Sequence, residues 1–396
     1  AKARRTEAKR RFEAEGVVPF GDEWVKAEEL PFHRMQWERL DDGTWAPPGT
    51  KERQEEEARL AADGWQQQHL TWIAPSEFEQ WRSGLWKVGD EWLDLAAANE
   101  AHSKIGDWWQ LPGERFVALT TVPEEHARWV VWWADRTHAD LVRIFGLEPR
   151  AKPEFVVLDS IDQYNDFAAG NAAEGRAPAD ANGYSSVHYA YFTDGWVDST
   201  GGVPVFRGTG AAYYDVNDAT LKAFGQHAVR HAAALAWLEA VDPSWNAVSL
   251  MMTAPGGTFP DARYWGEKRI PRWMRYGAAA YCERFFEDEN VGEGGDPLWA
   301  RKWALENLRT GDPMDAIEDV LALTFDTNDP ARSARLIHEA GLVVHFMVDG
   351  DDEKVGKAFT AYRDALTAGE DVSDEIADLE AALLGAEKKI ARFGGL

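Results

Sequence analysis

The sequence predicts an α+β protein in three parts. Strand-like runs alternate with helical patterns between about residues 114 and 240. Short tryptophan-bearing phrases punctuate the first 112 residues, and beyond 297 apolar residues recur at helical spacing. The expected divisions are a Trp-rich module over 1–112, a mixed α/β domain over 113–295 and a helical subdomain over 296–396.

The 396 residues suffice for two or three domains with cores of their own. The formal net charge of −26 argues against nucleic acid, because holding a phosphate backbone takes clustered Lys and Arg. No apolar run approaches the roughly 20 residues of a membrane helix. The basic N-terminal stretch "AKARRTEAKRRFEAEG" carries Glu7, Glu13 and Glu15 among its cations and reads as a solvated helix. A single cysteine, Cys282, excludes an internal disulfide framework and a cysteine-cluster metal site. A chain opening on Ala1 fits removal of a signal peptide or a trimmed start, and the sequence does not decide between them; an extracytoplasmic (periplasmic or secreted) setting is the favoured expectation and a cytoplasmic one the alternative.

In the first part, "GDEWV" at 21, "DDGTW" at 41 and "GDEWL" at 89 read as tight turns feeding short strands. "KERQEEEARLAADGW" reads as an exposed helix ending at Gly64. These phrases are weakly repetitive rather than a solenoid. Most of the 20 tryptophans are expected to be structural, with sugar stacking as their alternative use.

In the second part, "RFVALTT" reads as a strand. Pro123 opens a helix with Glu124 and Glu125 in its first turn, Trp129, Trp133, Leu141 and Ile144 at helical spacing, and Gly146 as its stop. "EFVVLDS" reads as a strand and "IDQYNDFAAG" as a short helix. After a loop come "YSSVHYAYF" and "VPVFRGTGAAYYDV", both strand-like. A helix over roughly 219–240 follows, with Asp218 as N-cap. Four helical patterns complete the chain from 297 onward.

The helix over 219–240 holds His227 and His231. Residues four apart lie about 40° apart around a helix, so both imidazoles can reach one ion. Catalytic zinc takes three protein ligands and a water, and in H-E-x-x-H the glutamate activates that water. Here the segment reads H-A-V-R-H, with Ala228 at the position of the base. The competing reading is a pair of core histidines bonded to backbone.

Downstream, "IPRWMRYGAAAYCERFF" resembles the second zinc helix of the gluzincin, or peptidase-MA-like, metallopeptidases, P-x-W-[LM]-x-E-G-x-A-x-Y. Pro271, Trp273, Met274, Gly277, Ala279 and Tyr281 match that pattern, and Tyr276 stands where the family has its third zinc ligand, a glutamate. The order of strands and helices from 114 onward is also similar to that family, and the resemblance covers about 114–390. It implies a gluzincin-like domain: a small sheet with a zinc-type helix pair and a helical tail.

Two departures qualify what the resemblance implies. Losing a general base costs ~10²–10⁴ in rate. Two imidazoles from one helix, without the third carboxylate, hold zinc poorly. The leading expectation is therefore a pseudopeptidase with no bound cofactor and no intact catalytic residue, whose cleft binds or scaffolds a peptide or protein. The alternative is an active zinc hydrolase with His227, His231 and Tyr276 as ligands. A third reading is an extracytoplasmic carbohydrate- or cell-wall-binding protein. Arg230, Trp273, Arg275, Tyr281 and His188 are the candidate cleft residues, with the two arginines suited to a peptide carboxylate. Glu283 lies seven residues after Tyr276, about 10 Å along the helix, too far to take its place. His338 and His345 are likewise two turns apart and read as structural.

Overall fold

A computed structural model describes residues 16–21, 23–26, 29–34, 37–46, 49–149, 152–168, 192–193, 196–198, 205–207, 210–217, 219–242, 269–283, 314–323 and 330–396. The class is mixed α+β with small sheets.

The described residues from Val17 to Ala101 form four successive hairpin–helix units. Hairpin β1 (Val17–Phe20)–β2 (Glu23–Lys26) precedes α1 (Leu30–Arg34), and β3 (Glu38–Arg39)–β4 (Trp45–Ala46) precedes α2 (Thr50–Ala62). Next, β5 (Gln66–Gln68)–β6 (Thr71–Ile73) leads through a 3₁₀ turn at Pro75–Glu77 into α3 (Phe78–Arg82). Finally β7 (Trp86–Val88)–β8 (Glu91–Leu93) precedes α4 (Leu95–Ala101). The first, third and fourth hairpins turn on two-residue loops, pairing Phe20 with Glu23, Gln68 with Thr71 and Val88 with Glu91.

Each second strand carries a tryptophan followed by an inward apolar residue. Val25, Ala46 and Ile73 are buried after Trp24, Trp45 and Trp72, and Leu93 is half-buried after Trp92. Two ion pairs join one unit to the next in related places. Glu29, five residues past Trp24, meets Arg39 at 3.2 Å; Glu77, five past Trp72, meets Lys87 at 2.7 Å. The repetition is thus deeper than the sequence phrases suggest, because the units share contacts as well as turns.

Next comes the main sheet, starting with β9 (Trp109–Pro112) and β10 (Val117–Thr120). Helix α5 (Glu124–Phe145) ends at Gly146, whose φ of 69° is a left-handed cap. Then come β11 (Glu154–Leu158), α6 (Ile161–Ala168), β12 (Phe192–Thr193), the separate hairpin β13 (Trp196–Asp198)–β14 (Val205–Arg207), and β15 (Ala211–Tyr213). The sheet order is β12-β15-β11-β10-β9. β10, β11 and β15 run parallel, while β9 and β12 are antiparallel edges. β9 pairs with β10, so the sheet begins before the expected boundary at 112.

Helix α7 (Ala219–Val241) carries the histidine pair. Ala228, Ala232, Ala233, Ala234 and Ala236 are all fully buried. Alanine favours helix and lets neighbouring backbones approach closely. A Cβ on Gly210 would lie 2.5 Å from the Ala232 backbone, so the helix crosses the start of β15 at backbone contact.

Helix α8 (Arg272–Cys282) follows Pro271 and packs on α7. The remaining helices are α9 (Ile317–Ala322), α10 (Pro330–Asp349), α11 (Glu353–Ala368) and α12 (Ser373–Gly394). The expected helix over 297–311 and the Asp218 cap lie outside the described residues.

Helices α8 and α10 cross through small residues on both sides. A Cβ on Gly277 would meet the Ala340 carbonyl at 2.6 Å, and one on Gly341 would meet Ala280 at 2.9 Å. Gly277→Val is expected to lower unfolding free energy by about 3 kcal/mol in a denaturant titration, because backbone must move. Gly385→Ala, with open space at its Cβ in α12, should raise it by about 0.5–1 kcal/mol.

Candidate functional site

The two histidines of α7 point into the core. His227 and His231 are both 0 % exposed, as are Ala228 and Arg230. The partner that anchors both rings is Glu283, the residue just past the end of α8. His227 Nδ1 donates to the Glu283 carbonyl oxygen at 2.8 Å. His231 Nδ1 and Glu283 Oε1 share a hydrogen bond of 2.6 Å. Glu283 therefore reaches the pair through its main chain and its carboxyl group together, linking α7 to α8.

Sequence reasoning set Glu283 aside because it measured the distance to Tyr276 along one helix. The histidines lie beside the end of α8, and Glu283 meets them there. Tyr276 is buried under the Arg272 guanidinium, which stands 5.9 Å from its ring centre. His338, on α10, is a second residue that sequence reasoning left out of the site. Its charge would act on both His227 and His231. No spacing rule links positions 227, 283 and 338; the α7–α8–α10 packing brings them together.

Burial decides the charge states. Desolvation pulls His227 down to about 3, and Arg230 and His338 add to that against the bond to the Glu283 carbonyl. Burial takes His231 well below its ordinary value, again with His338 adding, and takes His338 to about 4. Burial also pushes the Glu283 carboxyl well above the usual range. Burial therefore disfavours the ion-pair form of the His231–Glu283 contact and favours a hydrogen bond between neutral partners.

The other candidates divide as follows. Arg275 is buried, not solvated, and clamps the end of α7: it pairs with Asp242 at 2.8 Å and Glu239 at 3.6 Å. Asp242 also accepts the Ile270 N–H at 3.0 Å, fixing the entry to α8. Arg230 is buried within α7. Trp273 is 1 % exposed and donates its indole N–H to Glu380 of α12 at 2.9 Å.

Tyr281 belongs to another cluster. Its hydroxyl donates to Asp349 at 2.8 Å and accepts from Arg143 of α5 at 3.3 Å, while His345 meets the same carboxylate at 2.8 Å. Burial works to raise Asp349, but the bonds from His345, Tyr281 and Arg143 outweigh it and hold it well below the usual range. His338 and His345 thus serve different surroundings. His188 lies outside the described residues.

A resident zinc would need more than this donor set. With Nδ1 of both rings turned to Glu283, two Nε2 atoms remain as the α7 ligands, and outer partners on Nδ1 are usual at metal sites. Among the described residues, however, no group of three His, Cys, Asp or Glu is placed to hold an ion. Tyr276 is the third donor that a zinc bound to the two imidazoles would call on.

Comparison with family models, curated proteins and solved structures finds no match.

The buried cluster predicts a pH dependence. Three imidazoles with lowered folded-state values take up protons on unfolding as pH falls below about 6.5, so their stabilisation is lost toward acid. Glu283, raised on folding, offsets one of those three protons above its unfolded value, and its own contribution is lost as pH rises through its folded value. Replacing it by Glu283→Gln keeps a neutral donor to His231. Between pH 4.5 and 6.5, the variant's unfolding free energy should fall more steeply toward acid than the wild type's by about 1.4 kcal/mol per pH unit. Parallel curves from urea titrations would show that Glu283 is ionised in the folded protein.

Proposed function

We propose that this protein is a non-hydrolytic relative of the gluzincin metallopeptidases, a pseudopeptidase that works by binding or scaffolding a peptide or protein. The observation that carries the reading is the Glu283 contact to both zinc-type histidines, with Ala228 buried where the base would stand. In this reading the carboxyl proton of Glu283 and its main-chain carbonyl do the cross-linking that a metal would do. The pair has become a polar staple between two helices. Support for the family frame comes from the paired helices α7 and α8, the three parallel strands beside α7, and the match of Gly277 to a close helix crossing.

One observation favours a second reading. Anchoring of both Nδ1 atoms is what a bound metal at the Nε2 atoms would also require, so His227, His231 and Tyr276 remain the ligand set of an active-hydrolase alternative. The carbohydrate reading draws less support, because Trp45, Trp86 and Trp109 are engaged in internal ring contacts. Among the described residues no helix is long and apolar enough to cross a membrane. An extracytoplasmic setting stays part of the proposal.

Elemental analysis of the purified protein, with His231→Ala alongside, tests the reading. The expected result is less than one-tenth of a zinc per chain, roughly, in both proteins and no cleavage of a mixed peptide library. About one zinc per chain that is lost in His231→Ala, with peptide cleavage, would replace it by the hydrolase reading.

A further inference from the structure

His69 stands out against its own sister positions. The first, third and fourth hairpins turn at Gly21, His69 and Gly89, each three residues before the strand tryptophan. Their φ values are 58°, 55° and 60°. Glycine adopts this left-handed region freely, whereas a side chain pays a steric cost. Two of the three equivalent turns use glycine, and the third holds an imidazole in the same strained conformation.

That ring sits at the meeting of three elements. It stacks on Trp86 of β7, with centroids 5.2 Å apart and planes at 24°. It meets Trp109 of the sheet-edge strand β9 edge-on at 6.0 Å. Its Nε2 lies 3.3 Å from Oε1 of Glu124, the residue that opens α5. One side chain from the third hairpin–helix unit thereby touches the fourth unit, the main sheet and the first turn of the long helix.

The neighbouring contacts complete a joint. Asn99, from α4, accepts the Trp109 indole N–H at 3.2 Å and the Glu124 main-chain N–H at 2.9 Å, and donates to Glu125 at 2.9 Å. His102 also packs on Trp109, with centroids 4.0 Å apart. Asn99 satisfies one of the orphan N–H groups of α5, but it sits on the unit adjoining the sheet in sequence. His69 comes from one unit further away and carries no such chain constraint.

We propose that His69 is a docking key, kept in a strained turn because its ring locks the hairpin–helix array onto the sheet domain. The key fixes how the array is held relative to the domain that carries the histidine helix. The two bodies form a joint held by side chains, and its seam runs through Trp86, Trp109 and Glu124.

Hydrogen exchange on the full chain tests this, comparing wild type with His69→Gly and His69→Asn. Glycine removes both strain and ring, while asparagine tolerates the left-handed conformation and removes only the ring. Both variants are expected to exchange ~10-fold faster or more in β7, β8 and the first turn of α5, with α7 and α8 as protected as in wild type. Protection in the core helices also shows that each variant folds. Unchanged or slower exchange at the seam in His69→Gly would mean that the strain is merely tolerated, and would overturn the proposal. Full seam protection in His69→Asn would overturn it as well, since the ring would then carry nothing.

Discussion

The structure depends on burying helix α7. The helix lies between the sheet, α5 and α8, and its described residues from Gly225 to Leu238 are buried apart from half-buried Gln226. A helix buried all round is ordinarily apolar throughout. This one takes His227, Arg230 and His231 inside as well, and a buried polar group is costly unless it is bonded. The surrounding elements answer that constraint. Glu283 closes α8 with a carbonyl and a carboxyl group at hydrogen-bond distance from the two rings, and Arg275 ties the end of α7 to the entry of α8. The alanines and the glycine contacts let the neighbours come near enough to do so.

The same constraint explains which kind of chemistry the site supports. A hydrolytic metal centre needs an open coordination position and a base beside it. Here the position of the base is a methyl group in a packed core, and the carboxyl group near the histidines is bonded to one of them. Burial favours neutral forms for all of these groups, which suits a structural staple better than a centre that must exchange protons.

Much of the fold was legible from periodicity. Strands at 117–120 and 154–158, the helix between them with Pro123 and Gly146 at its ends, and the histidine helix all followed from local patterns. The site was less legible. Sequence reasoning named His227 and His231, then looked for a third group by helical spacing and chose Tyr276. Glu283 was dismissed on its distance along α8, yet α7 runs beside α8, with Asp242 at its entry and the two histidines at its far end. His338 was read only against His345, although its charge would act on His227 and His231 of α7. Arg275 and Trp273 matched a family pattern whose packing role a sequence does not display: one clamps Asp242 and Glu239, the other reaches Glu380. The repeat units were underestimated because their pairing glutamates sit outside the tryptophan phrases that catch the eye.

The central proposal is that the Glu283 carboxyl group, in its neutral form, links the two helices through His231. The most direct test is long-range proton–nitrogen NMR of the histidine rings at neutral pH, before and after addition of zinc. The account predicts His227 as the neutral Nδ1–H form, because its Nδ1 donates to a carbonyl, and His231 as the neutral Nε2–H form, because its Nδ1 accepts from Glu283. Neither ring should shift when zinc is added. Nδ1–H forms for both rings, with Nε2 resonances that move on stoichiometric zinc, would contradict it.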